Sequence, residues 1–383
     1  MFLFRTTKRI LFGAGSLEKI GTEAQLLKAK KALIVTDPGI IQAGLIAPLQ
    51  QSLEAAGLSL AIFDRVEPDP RIEVVEECLT AARKEGIDLL IGYGGGSSLD
   101  IAKVTSVMLT NPEGIDAFFG VDLVPRPGVP VILIPTTAGT GSEVTPIAIL
   151  SDTRENLKKG IVSPHLFPEV ALLDPILTLG LPPAVTAFTG LDALIHAIEA
   201  YTSVNANDLT DQLAFRAMEL IAGSLLTAYA RGEDLPARSD MLEGSLLAGM
   251  AFANAGVTAV HAFAYPLGGE FHHIAHGLAN SVMLLPVLRF NLLGNLTKFA
   301  DISSALGLAT EDLTDRQAAE EALDAIEELM MDLNIPLRLR DLNVPQEALP
   351  RLSEGVMKVT RLLANNPRRL TLEDAKAIYQ QAW

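Results

Sequence analysis

Over the first 180 residues, short runs of aliphatic and β-branched residues alternate with longer stretches whose apolar positions recur every three or four residues. Residues 32–36, 58–63, 87–92 and 131–134 are near-continuous apolar runs bounded by turn residues. Such runs predict strands covered on both faces. Residues 46–57 and 72–85 carry helical spacing, and the first of these stops at a glycine. Strand and helix in alternation predict an α/β domain with a mainly parallel sheet. Past Asp174-Pro175 and Leu181-Pro-Pro183 the strand signal fades. Helical periodicity then covers 208–231, 237–253, 257–264, 278–290, 315–333 and 346–363, and a last helix over 370–379 opens on a Thr cap and an acidic first turn. The expected organisation is an α/β domain over 1–180 and an all-α domain over 181–383, with the cleft between them as the place for a small ligand.

Composition narrows the picture. At 383 residues, 49% hydrophobic and 20% charged, the chain is long enough for two real cores. A net charge of -16 argues against nucleic acid as a partner, since its binders carry basic patches. The single cysteine, Cys78, excludes an internal disulfide and fits a reducing compartment. No signal peptide is legible at the start, and the apolar stretches are broken by Pro, Gly or charge short of the roughly 20 residues of a membrane span. The expectation is a soluble cytoplasmic protein with no membrane partner.

Three stretches of the α/β half carry candidate chemistry. The third strand runs into Tyr93-Gly-Gly-Gly-Ser-Ser-Leu-Asp100. Glycines between a strand and a helix let backbone approach a ligand, and the helix, with Ser97 or Ser98 as expected cap, turns its N–H groups toward that place. A pyrophosphate cradle and a plain tight connection are equally compatible with this loop, which is not the Gly-x-Gly-x-x-Gly fingerprint. Pro135-Thr-Thr-Ala-Gly-Thr-Gly-Ser-Glu143 offers hydroxyls without bulk at another strand end. Asp37 follows the first strand, where a carboxylate can accept both ribose hydroxyls and repel a 2′-phosphate; it is equally a turn former before Pro-Gly.

The helical half carries the histidines. Asp192 and His196 stand four residues apart in an apolar run and share a helix face. Five of the six histidines fall between 196 and 276, in segments of low charge where polar groups are costly unless bound to something. With His261 and His276 they make an Asp-His-His-His set suited to Fe²⁺ or Zn²⁺. A lone Asp-x-x-x-His is otherwise an ordinary surface or capping pair.

Gly190-Leu-Asp-Ala-Leu-Ile-His-Ala-Ile-Glu199 and His276-Gly-Leu-Ala-Asn280 resemble the paired signatures of the iron-containing (group III) alcohol dehydrogenases, and the likeness extends from about residue 12 to 291. The resemblance implies metal ligands Asp192, His196, His261 and His276, a phosphate loop over Gly94, Gly95, Gly96, Ser97 and Asp100, and cofactor contacts at Thr136, Thr137, Thr140 and Lys158. It places Phe252 near the substrate. It implies NAD, with Asp37 as the discriminating acid, Fe²⁺ with Zn²⁺ as a chemically reasonable substitute, and a homodimer. The implied reaction is metal-assisted hydride transfer between a small primary alcohol or diol and its aldehyde. A maleylacetate-type reductase, a hydroxyacid–oxoacid transhydrogenase and a non-catalytic nucleotide- or metal-binding protein are the alternatives.

Three departures from the family pattern stand out. Asp69 occupies a position where many relatives have Asn. Tyr265 stands where some relatives carry a proton-relaying His, and an ordinary phenol, with a pKa of about 10, is a poor base near neutrality. His261 and His276 are one residue further apart than in many relatives, which brings His272 and His273 into competition for the fourth ligand; His276 is preferred because residues 276–286 match the family segment and the Gly-rich loop ahead of them absorbs an insertion more easily than a helix.

Overall fold

Three of the four apolar runs become central strands of a six-stranded, wholly parallel sheet; the fourth, over 58–63, is its half-exposed edge strand rather than one covered on both faces. The computed structural model describes residues 1–154 and 157–383. Its strands are β1 (Ile10–Phe12), β2 (Lys31–Val35), β3 (Ser59–Phe63), β4 (Leu89–Gly94), β5 (Gly120–Val121), β6 (Val131–Pro135), β7 (Ile147–Asp152), β8 (Leu157–Val162) and β9 (Val170–Leu173). The main sheet has the order β1-β9-β6-β4-β2-β3. A smaller sheet, β5-β8-β7, adds an antiparallel pair.

Period-two alternation sorts the central strands onto two cores. Leu33, Val35, Leu90 and Leu133 pack on one face. Ala32, Ile34, Leu89, Ile91, Ile132 and Ile134 pack on the other. The chain runs from β2 outward to β3, then returns to β4 and proceeds to β6, so the strand order reverses between β2 and β4. At such a switch point the loops beyond the carboxyl ends part and leave room for a ligand. Asp37, the glycine loop and the Thr136 loop follow β2, β4 and β6, three neighbouring strands.

By internal contacts the chain divides into two compact units, Arg5–Gly180 and Leu181–Trp383, the second including Met1–Phe4. The helical unit is built on Pro183–Thr202, which is buried without interruption from Gly190 onward. Asp208–Ala230 and Leu235–Ala255 pack beside it. Their approach is close at Gly190, where a Cβ would stand 2.4 Å from Leu225 Cδ1 and 2.8 Å from Met241 Cε.

Three local expectations change. The glycine-loop helix, Gly96–Thr110, has Gly95 as its N-cap and no side-chain cap, so neither Ser97 nor Ser98 performs that task. The helix expected over 346–363 is interrupted, giving Leu349–Lys358 and Thr360–Leu363. Asp208–Ala230 and His276–Gly294 reach the length and apolarity of a membrane span, where broken, shorter runs were expected; both pack against neighbouring helices of the helical unit.

Candidate metal centre and cofactor loops

Asp192 and His196 lie one turn apart on the buried helix Pro183–Thr202. His261 sits in the first turn of Ala259–Glu270, and His276 opens His276–Asn291. One ligand atom each from Asp192, His261 and His276 lies within 4.8 Å of the others, the only such group of three among the described residues. Two imidazoles and a carboxylate, Asp192 and His261 buried and His276 half-buried, form a donor set that fits a divalent transition metal. His196 stands against this group: its ring stacks on His261 at 4.7 Å and on Phe252 at 4.4 Å.

The surrounding network accounts for the ring orientations. His261 Nδ1–H donates to Glu199 Oε2, which turns Nε2 toward the cluster. Asn280 Nδ2 lies 2.7 Å from Asp192 Oδ1, 3.1 Å from His261 Nε2 and 3.2 Å from His276 Nε2. One amide thus touches all three candidate ligands, and its own Oδ1 is buried without a partner among the described residues. Burial alone would raise the Glu199 and Asp192 carboxyls. The charges of the facing imidazoles, with hydrogen bonds from His261, Thr258 and Val260 to Glu199 and from Asn280 to Asp192, bring both below the usual range. Burial pulls His261 down, but Glu199 and Asp192 outweigh it and raise its pKa. A metal in the cluster would act the other way, since it needs the lone pair.

The competing histidines lie elsewhere. His273 Nε2 bonds the Leu342 carbonyl at 3.0 Å, and both His272 and His273 are exposed. His276 is the one that meets Asp192 and His261. Tyr265 is buried, its ring centroid 6.4 Å from that of His276.

In the α/β unit, Gly94 has φ 149°, and a Cβ there would stand 2.8 Å from Ser98 Oγ and 2.9 Å from Asp37 Oδ2. Only glycine allows this meeting of the β2 and β4 ends. Gly96 is held as closely by Thr140, whose Cγ2 lies 2.7 Å from the position of a Cβ, and Thr137 lies beside Gly95. Thr136 N–H donates to the Gly94 carbonyl. The hydroxyls of Thr36 and Ser98 are buried without partners among the described residues, as expected of a place shaped for a polar ligand. Asp37 caps the short helix Pro38–Gln42 through Oδ1, leaving Oδ2 beside Gly94.

Asp100 and Lys158 are placed differently from simple ligand contacts. Asp100 accepts from Ser142 Oγ and Ile149 N and pairs with buried Lys103, so it ties the glycine-loop helix to the 135–143 loop. Lys158 is buried and paired with Asp69 at 2.6 Å. Asp69 thereby supplies a charge to Lys158 that Asn could not. Neighbouring Lys159, on the opposite face of β8, pairs with Asp152.

Sequence reasoning missed Glu199 and Asn280 as site residues. Glu199 was accessible from spacing, because it continues the Asp192–His196 face one turn further. Asn280 repeats the four-residue step after His276.

Fold and site together define a class: an α/β unit of the nucleotide-binding kind, joined to a helical unit that carries a buried carboxylate–imidazole cluster. The sequence profile described as iron-containing alcohol dehydrogenase matches residues 7–175, and that of the Fe-containing alcohol dehydrogenase family C-terminal region matches residues 186–383. The chain belongs to the iron-containing alcohol dehydrogenase family. It is 39% identical to a sulfoacetaldehyde reductase of Bilophila wadsworthia, over 99% of this chain and 98% of the relative. It is 41% identical to a 1,3-propanediol dehydrogenase of Klebsiella pneumoniae, over 100% and 99%. A crystal structure of a 1,3-propanediol oxidoreductase superimposes with a TM-score of 0.97 at 41% identity, each chain fully covered.

Proposed function

We propose that this chain is an NAD-dependent, metal-containing dehydrogenase that interconverts a small primary alcohol or diol and its aldehyde. Residues 1–180 bind the dinucleotide and residues 181–383 hold the metal. The observation that carries the reading is the buried Asp192–His261–His276 set, with His196 stacked on it, in a chain of this family. Fe²⁺ is the metal the family favours, and Zn²⁺ suits the same donors.

A divalent metal held there supplies Lewis acidity that eases loss of the alcohol proton. The chain's own groups bind, orient and exclude water. Asp192 and His261 are almost fully buried, so a reacting oxygen beside them is shielded from competing solvent. Gly94, Gly95, Gly96 and Ser97 admit a pyrophosphate to the helix start, with Thr136, Thr137 and Thr140 as neighbouring donors. Asp37 Oδ2 is free to accept from a ribose and repels a 2′-phosphate. The acidic surface and lone buried thiol fit a cytoplasmic protein, and the family resemblance supports a homodimer.

The test is absorbance at the nicotinamide band, over short alcohols, diols and aldehydes, with Fe²⁺ or Zn²⁺ added. Turnover is expected with NAD(H) in preference to NADP(H). Asp37→Gly should move the ratio of kcat/KM values toward NADP by about tenfold or more. Absence of turnover with every substrate and both cofactors overturns the reading.

A further inference from the structure

From the contacts of Glu199 we infer that it is a positioning residue for the metal, pinning His261 through Nδ1 so that only Nε2 faces Asp192 and His276. The inference rests on reading that cluster as a metal centre.

Glu199 lies seven residues after Asp192 on the same helix, is fully buried and uses both oxygens. Oε1 accepts from Thr258 N at 3.0 Å, Thr258 Oγ1 at 2.6 Å and Val260 N at 2.8 Å. These groups belong to the start of Ala259–Glu270, a helix whose own N-cap residue, Thr258, makes no side-chain cap. Helix starts leave N–H groups unsatisfied, and a carboxylate there also meets the positive end of the dipole. Glu199 therefore caps, from a different helix, the helix that carries His261. Its second oxygen holds the ring two positions later in that same turn. One side chain fixes both the backbone and the imidazole.

A second observation points to the same tautomer. Asp192, ionised, can only accept, so the end of the Asn280 amide 2.7 Å from it is the NH₂. That NH₂ also stands 3.1 Å from His261 Nε2, where it needs a lone pair to receive it. The proton of the neutral ring then belongs on Nδ1, against Glu199. Asn280 Oδ1, left without a partner, indicates that the amide is oriented by its NH₂ side.

Glutamine at 199 separates charge and tautomer from shape. Its oxygen can still serve the helix start, but its NH₂ then faces His261 Nδ1 and drives the ring proton to Nε2, where it blocks the metal. The affinity of full-length protein for Zn²⁺, measured by chelator competition, is expected to fall roughly 10–100-fold in Glu199→Gln, with the far-ultraviolet circular dichroism unchanged. In the Zn²⁺-loaded wild-type chain, nitrogen-labelled histidine spectra should show a slowly exchanging proton on His261 Nδ1. A proton on Nε2 instead, or Glu199→Gln binding Zn²⁺ as tightly as wild type, overturns the inference. Should Glu199→Gln fail to fold, the wild-type spectrum decides alone. If the wild type binds neither Zn²⁺ nor Fe²⁺, the metal-centre reading fails by itself, and the ring-proton position in the metal-free chain still tests the hold of Glu199 on His261.

Discussion

Glu143 shows how one buried residue can cost the fold stability. It ends the 135–143 loop almost wholly inaccessible to solvent, and burial pushes its carboxyl up to about 7, with Lys103 nearby too weak to restore it. A carboxyl raised on folding stays protonated while its unfolded counterpart ionises. Stability from this group therefore falls as pH rises from about 4.5 to about 7 and stays lowered above that. The full penalty is on the order of 3 kcal/mol. Glu143→Gln should gain stability relative to wild type between pH 5 and pH 8, read as a growing difference in denaturant midpoint. A difference independent of pH would show that the carboxyl is ionised throughout.

At the scale of elements, the proposed metal centre depends on how closely helices approach. Gly277 follows His276, and a Cβ there would stand 2.5 Å from the Phe188 carbonyl oxygen and 3.5 Å from Asp192 Cβ. The obstacle is helix backbone, which cannot rotate aside. Gly277→Ala must therefore shift the start of His276–Asn291 away from Pro183–Thr202, taking His276 with it. Fe²⁺ or Zn²⁺ affinity is expected to drop at least about tenfold while thermal stability falls by only about 1–3 kcal/mol. Unchanged affinity would mean that the helix start is more pliable than its packing implies. The glycine-loop helix makes the complementary point: leaving its start without a side-chain cap keeps that end available to a ligand.

For the whole molecule, the three clustered candidate ligands come from three helices of one unit, while the glycine and threonine loops belong to the other. A metal that binds the native cluster stabilises the helices that form it. Chelation should raise amide hydrogen exchange around 190–200, 258–264 and 276–282, and leave 94–110 as it was. Added NAD should protect 94–110. Equal changes in both regions on chelation would contradict separate loading of the two units.

The sequence by itself determined the α/β class, the parallel sheet and the helical second half, because strand and helix periods are local and strands buried on both faces read as continuous apolar runs. It also aligned Asp192 with His196, since a four-residue step fixes a helix face. Some helix ends were legible for the same reason: Thr371 caps the last helix in a capping box with Asp374. The tertiary structure decided what joins these local pieces. Packing of His276–Asn291 against Pro183–Thr202, and the hold of Glu199 on the start of Ala259–Glu270, bring His276 and His261 to Asp192, while His273 turns to the Leu342 carbonyl. Packing likewise gives Asp100 to Ser142 and Ile149, Lys158 to Asp69, and Glu199 to the start of another helix. Those pairings span 42 to 89 residues of chain. No periodicity encodes separations of that size; they follow from which buried polar groups must find partners once the cores have closed.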